Sequence, residues 1–140
     1  MPETMTAGLA TAYAVVSLEQ GGKIVRYRRL STPFASMAAV QNTYDQVLAT
    51  FDRIGRAGRA LLIDSREATG RNDAAFEAML NEFRRGSIVG FVGHAVLMRT
   101  VVGSLHAQRI ERKRGNAGPV FLQEEEAVAY LLKLVETTLK

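Results

Sequence analysis

The chain has no cysteine. That excludes disulfides, thiolate metal ligands and cysteine nucleophiles together, and it suits a reducing compartment. No apolar run approaches the roughly 18 residues that a membrane-crossing helix requires. The first residues, Glu3 among them, lack the basic-then-apolar order of a secretory signal. A cytoplasmic protein outside the membrane is therefore the expectation. The two histidines, His94 and His106, are too few for a histidine-rich metal site, and each reads as a packed or half-buried side chain. No glycine-rich run closes on Gly-Lys-Ser/Thr, and no Gly-x-Ser-x-Gly elbow occurs. Gly86, Gly90 and Gly93 are spaced like a phosphate loop but follow a helical pattern, whereas a dinucleotide fingerprint must follow a strand. Asp64 and Glu67 offer a carboxylate pair, but a strand-end turn with exposed charge accounts for them more simply. A non-catalytic domain without metal or cofactor is the expectation.

What is present suffices for one core. A chain of 140 residues, 47% hydrophobic and 23% charged, falls in the ordinary single-domain range. Residues 1–9 read as a mobile lead-in and 10–140 as a single α/β domain. The net charge of +4 is gathered in three groups. These are Arg26, Arg28 and Arg29; then Arg53, Arg56 and Arg59; then Arg109, Arg112, Lys113 and Arg114. A solvated surface explains such groups. Tyr27 alone interleaves with them and no nucleic-acid-binding motif is present, so nucleic acid is not the expected partner.

Alternation over residues 11–19 and 23–30, broken by Gly21-Gly22, predicts a hairpin. Thr32-Pro33 resembles a cap with proline at the first helical position. Beyond it Met37, Val40, Tyr44, Val47, Leu48, Phe51 and Ile54 recur at helical spacing, and Gly55 and Gly58 end that helix. Residues 60–63 form a short apolar run ending in Asp64, as in a strand covered on both faces. Asn72 or Asp73 can cap a second helix with the stripe Phe76, Met79, Leu80 and Phe83, closed by Gly86. Residues 91–98 predict another buried strand. Residues 101–114 predict a third helix with Val102, Leu105 and Ile110 inward. A short strand follows at 119–122. The last helix, over about 124–139, opens with three glutamates at the positive end of its dipole. The order β-β-α-β-α-β-α-β-α implies a mostly parallel five-stranded sheet with four helices and right-handed crossovers.

The element order, with Ile63-Asp64-Ser65 ending the central strand, resembles the STAS domain family, which includes bacterial anti-sigma-factor antagonists. Leu62-Ile63-Asp64-Ser65-Arg66, with Gly70-Arg71-Asn72-Asp73 and Phe76-Glu77, is similar to bacterial STAS-like proteins in which a strand ending in Asp-x-Arg precedes a Gly-Arg-Asn-Asp turn. The stretch Ala95-Val96-Leu97-Met98-Arg99-Thr100, with Val102-Gly103 and Gln108-Arg109, fits the same group, as does Val120-Phe121 before Glu125-Glu126-Ala127. The resemblance implies a regulatory, protein-binding domain. In the antagonists a serine after this strand, in Asp-Ser-Ser/Thr-Gly, is phosphorylated by a partner kinase. Here Arg66-Glu67 follows Asp64-Ser65 and the loop is longer, so efficient phosphorylation of Ser65 by such kinases is not expected. Ser65 and Thr69 remain chemically competent acceptors.

In open α/β sheets the binding crevice forms at the carboxyl ends of the strands. The candidate surface is therefore Asp64, Ser65, Arg66, Arg71 and Asp73 in the loop after the central strand, with Arg99 and Thr100 beside it. Its expected occupant is a protein partner. A second reading gives Arg66, Arg71 and Arg99 to a small anionic ligand near two helix amino ends. Against that stands a structural role, in which these arginines pair with Asp64, Glu67 or Asp73. The sequence leaves a homodimer open.

Overall fold

The computed structural model describes residues 6–68, 73–114 and 118–138. The elements run β1 (Thr6–Ala10), β2 (Ala14–Glu19), β3 (Ile24–Arg29), α1 (Met37–Ile54), β4 (Ala60–Asp64), α2 (Ala74–Ile88), β5 (His94–Leu97), α3 (Val101–Arg114), β6 (Val120–Phe121) and α4 (Glu124–Thr138). The strands lie in sequence order in one six-stranded sheet. β1–β2 and β2–β3 are antiparallel, and the three pairings from β3 to β6 are parallel. The sheet is thus mixed, with six strands rather than five. The extra strand comes from the expected lead-in: from Thr6 onward the chain pairs along β2, with a register shift between Ala7 and Leu9. Its residues Thr-Ala-Gly-Leu-Ala carry little apolar alternation, so the partner strand supplies what the local pattern lacks.

α1 and α2 cover one face of the sheet, where Val16, Val25, Tyr27, Leu61, Ile63 and Val96 meet Val40, Tyr44, Val47 and Phe51. On the other face α4 sets Ala127, Leu131 and Val135 against Ile24, Leu62, Ala95 and Leu97. β4 is buried at all five positions because helices cover both its faces. The capping residue of α1 is Ser36, whose Oγ accepts from the Ala39 N–H at 3.1 Å, and not Thr32. Phe34 explains the later start: it is buried among Tyr13, Tyr44 and Phe76, which holds the segment before α1 against the core. α2 runs through Gly86 to Ile88 rather than ending at it, with Gly86 facing Leu48 of α1. Gly90, with φ of 88°, takes the left-handed position after that helix.

Most members of the first two basic groups are engaged by the fold, while the Arg28 side chain stays partly exposed. Arg56 donates to the carbonyls of Gly86 and Val89, and Arg59 to those of Gly22 and Gly55, closing loops at the amino end of the sheet. Arg53 donates to Gly8. Arg29 is buried over the Phe34 ring, 4.0 Å from its centroid, and donates to the carbonyls of Tyr13 and Leu30. Burial lowers its pKa. Arg26 is buried as well, and these two side chains replace the solvated group expected from the sequence.

Candidate functional site

Strand alternation brings a charged cluster together at the carboxyl end of β4. Arg26 pairs in register with Leu62, on the face that carries α4, and Asp64 lies two residues further along that face. Glu19 is opposite Ile24 on the same face. Arg26 grips Glu19 through two bonds, Nε to Oε2 at 2.6 Å and Nη2 to Oε1 at 2.9 Å, and its Nη1 reaches Asp64 Oδ2 at 2.9 Å. Arg66 closes on Asp64 from the loop side with a second fork, Nε to Oδ1 at 2.9 Å and Nη2 to Oδ2 at 2.7 Å. Glu124, in the first turn of α4, accepts from Arg66 Nη2 at 2.9 Å and lies 3.3 Å from Arg26 Nη2. Three carboxylates therefore hold two guanidinium groups in planar, forked geometry.

Burial alone would raise the Asp64 pKa, but the bonds and charge of Arg66 and the bond from Arg26 overcome it, and the carboxyl is held below its ordinary range. For Arg26, burial opposes the charge, and Glu19, Glu124 and Asp64 outweigh it, so its pKa is raised. Arg66 is raised first by its hydrogen bond to Asp64. Asp64, Arg26 and Arg66 are thus each pushed toward the charged form. Such a cluster binds the end of β4 to the hairpin and to α4.

The expected site residues separate. Asp64 and Arg66 are joined in the cluster. The Ser65 N–H donates to the Leu97 carbonyl at 2.9 Å, fixing the turn to β5. Asp73 caps α2, its Oδ1 accepting from the Phe76 N–H at 2.9 Å. Thr100 caps α3, its Oγ1 accepting from the Gly103 N–H at 3.0 Å. Arg99 is exposed beside it. Arg71 and Thr69 lie outside the described residues, as does the Ile110 side chain. Glu67 is exposed at the rim, 4.0 Å from Arg28. Sequence reasoning missed Glu19, Arg26 and Glu124. A signal existed: Asp64 ends a strand buried on both faces, and a buried carboxylate requires a cationic partner. Arg26 lies on β3, the strand beside it.

Beside Glu124 lies a shallow groove of about 320 Å³ between α4 and the β2–β3 turn, lined by Gln20, Glu124, Glu125, Val128, Ala129 and Leu132. Two carboxylates and no arginine or lysine line it, which does not suit an anion. Among the described residues no group of acids and histidines is placed to hold a metal ion. His94 is buried, and a Cβ on Gly118 would overlap its ring.

α3 departs from the expected packing. Val102 and Leu105 were to face inward, yet they are 79% and 57% exposed, and Val101 is 62% exposed. The inward positions belong to small residues instead: Ser104 is buried, and Gly103 and Ala107 are half-buried. A Cβ on Gly103 would meet Thr100 Oγ1 at 3.0 Å and Met98 Cε at 3.1 Å, so the helix runs close to its neighbours there. The helical period was read correctly and its phase was not.

Against family models, curated proteins and solved structures, the chain gives no match. No described helix is long and apolar enough to cross a membrane.

Proposed function

We propose that this chain is a non-catalytic, STAS-like interaction domain, and that a protein partner docks at the carboxyl ends of β4 and β5. The observation that carries this reading is the exposure of Val101, Val102 and Leu105 directly after Arg99 and Thr100. At spacings of three and four residues these side chains share one helical face, and exposed apolar groups gathered in this way mark interaction surfaces. The alternative, an anionic ligand held by arginines, is less well supported. Arg66 would have to release Asp64 and Glu124 to serve it.

Affinity capture from the native host tests the reading with three forms of the chain. Leu105→Asp should lose a partner that wild type retains. Val89→Asp should keep it, because Val89 is equally apolar and 65% exposed but lies at the opposite end of the sheet. Equal recovery by both variants, or no partner with wild type, contradicts the proposal.

A further inference from the structure

We infer that the outer edge of β1 is a pairing site for a second copy of this chain, and that Arg53 holds it shut. Among the described residues β1 and β6 are the two edges of the sheet, and they differ as templates for an added strand. β6 offers only Val120 and Phe121. β1 offers five residues, Thr6–Ala10, with no charge and no proline among them. Charged side chains and proline are common means of keeping an edge strand from pairing, so β1 carries no such protection in its own sequence.

The backbone shows which groups this edge presents. The Thr11 N–H donates to the Ala14 carbonyl at 2.9 Å, and Leu9, two residues back, lies opposite Val16. In an antiparallel pair every second residue bonds its partner, so Thr11 and Leu9 turn their backbone groups to β2 and Ala10 turns its own outward. The Gly8 carbonyl is outward as well, where Arg53 Nη2 meets it at 2.6 Å in a solvent-exposed bond. Arg53 stands in the last turn of α1. Gly8 lets that turn come close, since a Cβ there would meet Thr50 Cγ2 and Ile54 Cδ1, both at 3.1 Å. The register shift between Ala7 and Leu9 falls at the same residue. An incoming strand therefore meets, at the middle of β1, an acceptor already taken and a cationic side chain laid across the edge.

Charge identifies the strand that is kept out. Two β1 strands paired antiparallel about Gly8 are related by a two-fold axis, and each supplies the donors and acceptors that the other presents. The uncharged Thr6–Ala10 segment does nothing to oppose that pairing. Arg53 does, because the axis brings the two guanidinium groups together, and a like-charge approach costs free energy. Arg53 thus opposes a second copy in two ways, by occupying the Gly8 carbonyl and by repelling its own counterpart. Its removal frees the acceptor and abolishes the repulsion in one step.

The test compares the full chain as wild type, Arg53→Ala and Arg53→Ala/Ala10→Pro. Sedimentation velocity across a concentration series reads assembly, and amide hydrogen exchange reads β1. In wild type the Ala10 N–H should exchange freely at every concentration. Arg53→Ala should gain a concentration-dependent dimer in which exchange at Ala10 slows about tenfold or more. Proline at position 10 removes that outward donor and leaves the bonds to β2 in place, as edge strands tolerate. The double variant should therefore sediment as wild type does. Should Arg53→Ala fail to fold, Arg53→Gln carries the same expectation, since it too lacks the charge and the reach to Gly8. Three results would overturn the inference. One is a folded Arg53 variant that assembles no further than wild type and exchanges Ala10 as fast. Another is a dimer that Ala10→Pro does not relieve, which would place the contact elsewhere. The third is wild type already protected at Ala10, because Arg53 would then not hold the edge shut.

Discussion

The connections leaving β4 and β5 lie side by side and treat their side chains in opposite ways. After β4, charged groups turn inward: Asp64 is 1% exposed and is clasped by Arg26 and Arg66. After β5, apolar groups turn outward on the first turns of α3. A buried charge held by forked hydrogen bonds is explained within the fold. An exposed apolar face is not, because it gains nothing from the folded state. On the reading proposed above, Asp64 and Arg66 act as scaffold, and the first turns of α3, which looked like ordinary core, act as surface for a partner.

The largest effect expected from this contrast is at Asp64. Asp64→Ala leaves Arg26 buried without one of its carboxylates, and breaking a buried pair costs about 3–5 kcal/mol. Urea denaturation should show a loss of this size, and a loss below about 1 kcal/mol would mean that the cluster is not what joins β4 to the hairpin and α4.

Arg66→Ala should cost less, about 1–2 kcal/mol, because its side chain is 36% exposed and Asp64 keeps Arg26. Binding at α3 should persist in this variant at conditions where it is folded. Binding abolished without loss of stability would return Arg66 to the partner surface.

A pH series sharpens the same side of the comparison. Asp64 has a folded pKa below its unfolded value of about 3.9. Its stabilisation is therefore complete above about pH 5 and is lost as pH falls through the unfolded value toward the folded one, since the unfolded chain binds the proton first. Wild type should lose stability across that window more steeply than Asp64→Asn, measured by denaturation at fixed pH. Parallel slopes would mean that this carboxyl is not depressed.

Much of the fold was legible because periodicity and turn chemistry agreed. The stripe from Val40 to Phe51, the glycine turn after β2 and the apolar run of β4 each combine a local pattern with a local stop. What was not legible depended on partners distant in sequence. β1 is a strand because β2 offers it an edge. Arg26 is buried because Asp64 and Glu124, 38 and 98 residues away, converge on it. The phase of α3 escaped for a subtler reason: its apolar and small residues both recur at helical spacing, and it is the small set, Gly103, Ser104 and Ala107, that is the more buried. Within the candidate site, the sequence offered Asp73 as a cap and Arg66 as a partner of Asp64, whereas Thr100 was read as a binding residue and proves a cap, and the role of Arg26 required the sheet register.

The central claim, that the apolar residues of α3 belong to an interface and not to the core, is tested most directly by the stability of Val102→Ser/Leu105→Ser. Exposed side chains contribute little, so the double variant should unfold in urea within about 0.5 kcal/mol of wild type. If these residues instead pack inward, burying each would be worth about 1.5–3 kcal/mol, and a combined loss of about 3 kcal/mol or more would contradict the account.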